Sequence, residues 1–477
     1  MSWRIDFSDF PEAVSVFSFF REISKIPRAS GKTAAIADYL ADFAKERGLA
    51  FSRDGADNVI IKKPASVGFE DRPTVILQAH TDMVMAKTAD CTADVENTGL
   101  RLVRDGDFLS ADGTTLGADD GIGVAYILAL LDGDFSHPAL EALFTSDEEI
   151  GLIGAGALNP DSLDGRILIN LDSDDEGVFI VGCAGGATVN ATLPVRREPY
   201  DATAYKVTVS GLIGGHSGAD IDKGRENAIK LLASFLTGLD GARIATLDGG
   251  NADNAIPRGC VATVYSKCQD FLDTVESFYE KTAQSLANSE PNFCIAAEPI
   301  FSDALPLDEK SSAAVISMLS DMPNGIMAMS RDIDGLVETS LNLGIIKLNE
   351  DSLSLTASVR SSKDKEKAAL CDRLSVIFAS HGASTSVLGS YPGWDFNPKS
   401  PLREAAVRAY RNLYSKEPTV MAIHAGLECG ILSSKLPGLD CVSMGPDCFD
   451  IHTTEERLSL SSAARFWNFL KKILTQI

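Results

Sequence analysis

The chain contains no basic run with interleaved aromatics, no C-x-x-C pair, no low-complexity linker and no obvious internal repeat. Each absence removes a class of function. With 67 acidic against 43 basic residues and a formal charge of -24, most of the surface would repel a phosphate backbone, so nucleic acid is not an expected partner. The longest apolar stretches, such as VAYILALL at 124–131, fall well short of the ~20 residues that cross a bilayer, so no membrane partner is expected. The opening MSWRIDFSDFPEAVSVFSFF carries acids and lacks both a basic start and a small-residue cleavage site, so it reads as the start of a mature chain without a secretory signal. Nine cysteines at irregular intervals suit free, mostly buried thiols in a reducing compartment, and a cytoplasmic location is expected. What remains is an ordinary globular chain of 477 residues, long enough for two or more domains.

Against that background one stretch is unusual. ALFTSDEEIGLIG, residues 142–154, runs apolar and then sets Asp147, Glu148 and Glu149 side by side before a glycine-rich turn. Carboxylates held close raise one another's pKa, so a buried cluster needs a cation, a shared proton or water. The neighbouring segments follow the rhythm of an α/β sheet, in which apolar runs end in short polar clusters and lead into helical patterns. PTVILQAHTDMV at 73–84 ends in His80 and Asp82, LEALFTSDEE at 140–149 in the acidic cluster, and RILINLDS at 166–173 in Asp172. LGADDGIGVAYILALLDG at 116–133 reads as a loop turning into a helix with Asp119 and Asp120 at its start. Ligand sites of open α/β sheets lie beyond the carboxyl ends of the strands, where these side chains occur, so one cation site is expected.

From about residue 190 the pattern changes to alternating strands (YKVTVSG, CVATVYS, LVETSLNLGIIKL, SLSLTASVRSS) with amphipathic helices expected near 223–237, 270–288 and 363–381. This suits an inserted α+β domain of ferredoxin-like type over 189–385. The remainder, 386–477, contains the loop of His452 and the closing helix LSSAARFWNFLKKILTQI, and is expected to rejoin residues 1–188 in one discontinuous catalytic domain with a central mixed sheet.

Two divalent ions about 3.5–4 Å apart need imidazole and carboxylate ligands, one of them bridging. His80, Asp119, Glu149, Asp172 and His452 supply that set. Residues two apart on a strand share a face, so the Asp82 carboxylate is expected to reach the His80 ring and fix its tautomer. Glu148 is then left as general base. Spacing alone leaves the division between Glu148 and Glu149 open, because adjacent residues point apart on an extended segment but face one cavity at a turn.

Taken in order, AHTDMV, LGADDGIGVA, FTSDEEIGLIGA, INLDSDDEG, GGHSGADI, NAIPR, HAGLECG and DIHTTEE resemble the bacterial aminoacyl-histidine dipeptidases, the carnosine-cleaving branch of the two-metal exopeptidases with an inserted lid. The resemblance implies that His80, a bridging Asp119 and Asp172 hold one divalent ion while Asp119, Glu149 and His452 hold the other. Zinc is the first expectation, with manganese and cobalt also compatible with these ligands. It further implies a cis Asp119–Asp120 peptide, Glu148 taking the proton of a metal-bridging water and passing it to the leaving amine, and Asp82 orienting His80. An aspartate at 172 points to a peptidase acting near a free amino terminus. His216 matches a lid histidine that stabilises the oxyanion, usually across a dimer interface, so a homodimer through the lid is expected. Asn254, Arg360 and Gly426 match contacts to the oxyanion or the substrate carboxylate, for which a guanidinium offers a rigid fork of donors.

The sequence departs from the branch at Asp222, where a histidine is common, and at HTTEE in place of HSPDE. Neither change touches a proposed ligand; both bear on which dipeptides are preferred. The expected activity is hydrolysis of unblocked dipeptides, Xaa-His and carnosine-like ones first. The rivals are a tripeptidase, an N-acyl amino-acid deacylase of the same build, and an inactive, metal-stabilised binding protein. His424 has no assigned role.

Overall fold

The computed structural model describes residues 5–477, the side chain of Glu96 aside. Residues 1–4, where the sequence was read as the start of a mature chain, lie outside the described residues. Two compact units are present. The first runs to Gly182 and resumes over Trp394–Ala422 and Leu427–Ile477; the second comprises Cys183–Gly393 and Ile423–Gly426.

The first unit is built on an eight-stranded mixed sheet in the order Ala50–Arg53, Val59–Lys63, Leu140–Thr145, Val75–His80, Ile167–Asn170, Asp440–Ser443, Val178–Cys183, Thr419–Ile423. Its centre is parallel: Val75–His80 pairs in parallel with Leu140–Thr145 on one side and Ile167–Asn170 on the other. A strand flanked in this way and covered on both faces reads as a continuous apolar run, and every residue of VILQAH and LEALFT is buried. Helix Ala118–Asp132, apolar nearly all round, packs against Val75–His80 and helix Val14–Ile23. The closing helix Leu460–Leu474 starts at Ser459, whose side chain accepts from the Ser462 N–H. It places Trp467 flat against Tyr126, with ring centroids 6.1 Å apart.

The second unit carries a nine-stranded sheet, antiparallel in every pairing, with helices Ala228–Thr237, Phe271–Leu286, Glu309–Asp321 and Asp364–Ser380. It extends beyond a four-stranded ferredoxin-like sheet, and Gly185–Pro194 and Ser384–Tyr391 are among the added strands, on the side of Ser352–Ser361. These two strands straddle the limits 189 and 385. The helix expected from 223 begins only at Ala228: Gly224 adopts a left-handed φ of 65°, and the Asn227 side chain caps the N–H groups of Ile229 and Lys230.

Candidate metal centre

His80 closes the central strand of the first unit, and the ladder continues past it through Thr81, whose N–H donates to the Thr145 carbonyl at 2.8 Å. On the other flank Leu171 N–H donates to the Gln78 carbonyl at 2.9 Å, which brings Asp172 to the same sheet edge. Asp119 and Asp120 sit at the entry of helix Ala118–Asp132 with non-helical dihedral angles, and the peptide between them is cis. Glu456 holds this entry loop. Its buried carboxylate accepts the N–H groups of Leu116, Gly117 and Ala118 at 2.8, 2.9 and 2.7 Å. Arg28, also buried, donates to the carbonyls of Thr81, Asp82 and Gly117, tying the loop to the end of the His80 strand. His452 lies in a loop with a left-handed φ of 63°.

The result is a chain of imidazoles and carboxylates. Asp119 stands between both histidines, its Oδ1 2.9 Å from Nε2 of His80 and its Oδ2 2.9 Å from Nε2 of His452. Asp172 Oδ1 lies 3.7 Å from the same His80 nitrogen, and Glu149 Oε1 lies 2.9 Å from that of His452. His80, Asp119 and Asp172 form one group of donor atoms within 4.8 Å of one another; Asp119, Glu149 and His452 form a second. His80, Glu148 and Glu149 form a third such group, so Glu148 faces the same space.

The donor chemistry fits cations. Nδ1 of His80 is 3.1 Å from the Asp82 main-chain carbonyl, which accepts and never donates, so Nδ1 carries a hydrogen. In the neutral ring Nε2 then presents a lone pair to Asp119 Oδ1 at 2.9 Å, and two acceptors at that distance need a positive species between them. His452 Nε2 faces two carboxylate oxygens, and one N–H cannot satisfy both: Glu149 Oε1 is a buried oxygen without a hydrogen bond among the described residues. Without a cation a proton takes its place. The His452 ring is pushed up to about 10 by its contacts with Asp119 and Glu149. For His80, burial opposes protonation, but Asp172 and Asp119 together outweigh it and its pKa is raised.

Burial raises the carboxyls of Glu148 and Asp172, with Asp172 and Glu428 adding to the rise at Glu148 and Asp119 adding to that at Asp172. Asp119 itself is held well below its ordinary range: burial works against this, and the contacts with His452 and His80 overcome it.

Asp82 faces the His80 ring with both its main chain and its side chain: the carbonyl oxygen is 3.1 Å from Nδ1 and the nearest carboxylate oxygen 3.5 Å. The carboxylate also accepts from Glu148 N–H at 3.0 Å, Ser30 Oγ at 2.7 Å and Glu149 N–H at 3.4 Å, so it shapes the turn that carries both glutamates. Asp147 bonds the Gly31 N–H at 2.6 Å and joins none of the three donor groups. Glu428, fully buried, accepts from Gln78 Nε2 and Thr145 Oγ1, each at 2.6 Å, and burial pushes its carboxyl up to about 7.

The remaining candidates belong to the second unit. His216 lies in a short strand Gly215–His216 paired with Ala255–Ile256, and the Asn254 carbonyl accepts from Ser217 N–H at 2.7 Å. His216 Nδ1 accepts from the N–H groups of Gly218 and Ala219 at 3.2 and 3.0 Å, which leaves Nε2 to carry the hydrogen of the neutral ring. Arg360 is buried and donates to the Tyr391 phenol at 3.2 Å, and Gly426 lies against that ring. His424 joins this group, with Nε2 2.7 Å from Ser340 Oγ.

Two imidazoles around one carboxylate at a parallel sheet edge, with a glutamate beside them, make the donor set that a metal-dependent hydrolase requires. Residues 76–476 match the family described as Peptidase family M20/M25/M40. The cytosol non-specific dipeptidase of Escherichia coli (strain K12) is 37% identical over 473 residues, 97% of each chain. The crystal structure of an aminoacylhistidine dipeptidase from Vibrio alginolyticus superposes with a TM-score of 0.92 at 35% identity, covering 98% of both chains. The aminopeptidase PepT of Bacillus cereus shares the fold at 18% identity, with 97% of this chain and 98% of that one covered and a TM-score of 0.59. The chain belongs to peptidase family M20/M25/M40 and is a metallopeptidase.

Proposed function

We propose that the protein is a dipeptidase that hydrolyses unblocked dipeptides, Xaa-His substrates such as carnosine among those preferred. The observation that carries this reading is Asp119 facing both imidazoles, with Glu148 adjoining the same donor atoms. The names of the relatives, a non-specific dipeptidase and an aminoacylhistidine dipeptidase, support the substrate class. His80, Asp119 and Asp172 would hold one divalent cation, and Asp119, Glu149 and His452 the other. Zinc is proposed, a choice that imidazole and carboxylate donors allow. When bound, such a pair polarises a peptide carbonyl and acidifies water.

The chain's own groups do the rest. Glu148 takes the proton of the attacking water on its carboxylate and delivers it to the nitrogen of the leaving amine. Burial, which raises its pKa, suits it to hold that proton between the two steps. Asp82 fixes the His80 ring through its carbonyl and the Glu148–Glu149 turn through its carboxylate. Arg360, His216, Asn254 and Gly426 contact the substrate, and residues 189–385 serve as lid and dimerisation domain. A cytoplasmic homodimer completes the proposal; no helix among the described residues is long and apolar enough to cross a membrane.

The test is a steady-state panel with the metal-loaded protein: carnosine, alanyl-histidine, a matched tripeptide and an N-acetylated dipeptide. The dipeptides should turn over fastest, and Glu148→Gln should lower kcat on them by roughly 10²–10⁴ while retaining the metal. Equal rates on the tripeptide or the acetylated peptide, or an unchanged kcat in the variant, would contradict the proposal.

A further inference from the structure

Arg360 is a buried guanidinium without an ion-pair partner among the described residues. It is 8% exposed, its Nη1 donates to Tyr391 Oη at 3.2 Å, and its Nε has no hydrogen-bond partner among the described residues. A buried cation in that condition is costly unless an anion completes it.

The surroundings of Arg360 are built around Tyr391. Strand Ser352–Ser361 sets Arg360 opposite Gly186 on one neighbour and Ser340 on the other, and Tyr391 pairs with the same Gly186. Two glycines leave room for the phenol ring: a Cβ on Gly186 would stand 2.6 Å from Tyr391 Oη, and one on Gly426 would stand 2.9 Å from its Cε2. A side chain at either position would push the ring out of place. The Tyr391 main chain is fixed as well, since its carbonyl accepts from the ammonium of Lys367, a buried side chain that also bonds Asp364 Oδ1 at 2.8 Å. Ser340, directly across from Arg360, holds His424, whose ring burial and the nearby guanidinium keep neutral, with its pKa pushed down to about 4. His216 is lowered in the same way, by burial first and Arg360 next.

We propose that Tyr391 is a positioning residue: its phenol oxygen holds one arm of the Arg360 guanidinium so that the remaining N–H groups face a carboxylate, which makes a free terminal carboxylate the selected feature of the dipeptide. The inference rests on the reading of Arg360 as a substrate contact. It also gives Gly426 a second purpose, as part of the space that the Tyr391 ring fills.

Steady-state kinetics on the metal-loaded full chain tests it, with alanyl-histidine and its C-terminal amide as substrates and Tyr391→Phe and Arg360→Lys as variants. Phenylalanine keeps the ring in its glycine-lined gap and removes only the oxygen. For the free acid, KM should rise about 10-fold in Tyr391→Phe, the scale of one lost hydrogen bond to a charged group, with kcat within about 2-fold. KM for the amide should not move. Affinity for free histidine, read by isothermal titration, should weaken by the same factor, which separates binding from turnover. If Arg360→Lys leaves KM for the free acid unchanged, the substrate-contact reading of Arg360 falls and this one with it. If Arg360→Lys raises KM but Tyr391→Phe does not, or if Tyr391→Phe lowers kcat equally on acid and amide, the role of Tyr391 alone is overturned.

Discussion

A carbonyl oxygen opposite Nδ1 settles more about His80 than any carboxylate does, because it dictates which ring nitrogen carries the hydrogen and so which one is left to meet a cation. The sequence reading pairs the Asp82 carboxylate with the His80 ring, and its Oδ1 lies 3.5 Å from Nδ1; the Asp82 main-chain carbonyl, closer at 3.1 Å, leaves no mark in a side-chain pattern. Face-sharing on a strand describes side chains, and the strand ends at His80, so the backbone beyond it is free to turn its carbonyl inward. His424 was the hardest histidine to place, since nothing about its neighbours in IHAGLECG distinguishes a pocket residue from a packed ring. Its environment supplies a prediction. The folded ring titrates at about 4 against the ordinary 6.5, chiefly through burial and next through Arg360. A depressed pKa means that the neutral ring's contribution is complete above 6.5 and is lost as pH falls through 4. The contribution is on the order of 3 kcal/mol. Urea denaturation of the metal-free protein should show wild type losing that much relative to His424→Gln between pH 6.5 and 4, and parallel stability curves for the two proteins would refute the account.

At the level of elements, the strands that carry ligands were legible because central parallel strands must be apolar throughout and polar only where they end. VILQAH and LEALFT follow it with one interior exception each, the buried Gln78 and Glu141. Strand Ser384–Tyr391 was not legible: it is a mostly exposed edge strand, so STSVLGSY has no buried face to impose alternation. Helix Glu309–Asp321 also escaped, its four buried residues being spread among serines and alanines. The supports of the Asp119 loop were hidden for another reason. Glu456 and Arg28 bond main-chain atoms, and contacts to the backbone leave no spacing pattern between side chains in the sequence. Glu456 was visible only as the second glutamate of HTTEE. Its removal should nevertheless be severe. Glu456→Ala strands three buried N–H groups and takes a negative charge away from the buried Arg28. The expected loss is roughly 3–5 kcal/mol by urea denaturation of the metal-free protein. Glu456→Gln, which retains an accepting oxygen, should lose less. A change below about 1 kcal/mol in the alanine variant would show that the loop does not depend on this carboxylate.

Over the whole molecule, the order of the motifs along the chain did what no single motif could. His80, Asp119, Glu149, Asp172 and His452 span most of the sequence, yet each stands at the end of an element or in the loop beyond it, and the parallel centre of one sheet is what brings such ends to a common edge. At that edge the two imidazoles hold Asp119 well below the ordinary carboxylate range, while burial raises Glu148 and Asp172. The most direct test is anomalous diffraction from crystals of the zinc-loaded protein. Two peaks about 3.5–4 Å apart are predicted, one beside His80 and Asp172 and one beside His452 and Glu149, with Asp119 between them. A single peak, or a pair that leaves Asp119 unbound, would contradict the account.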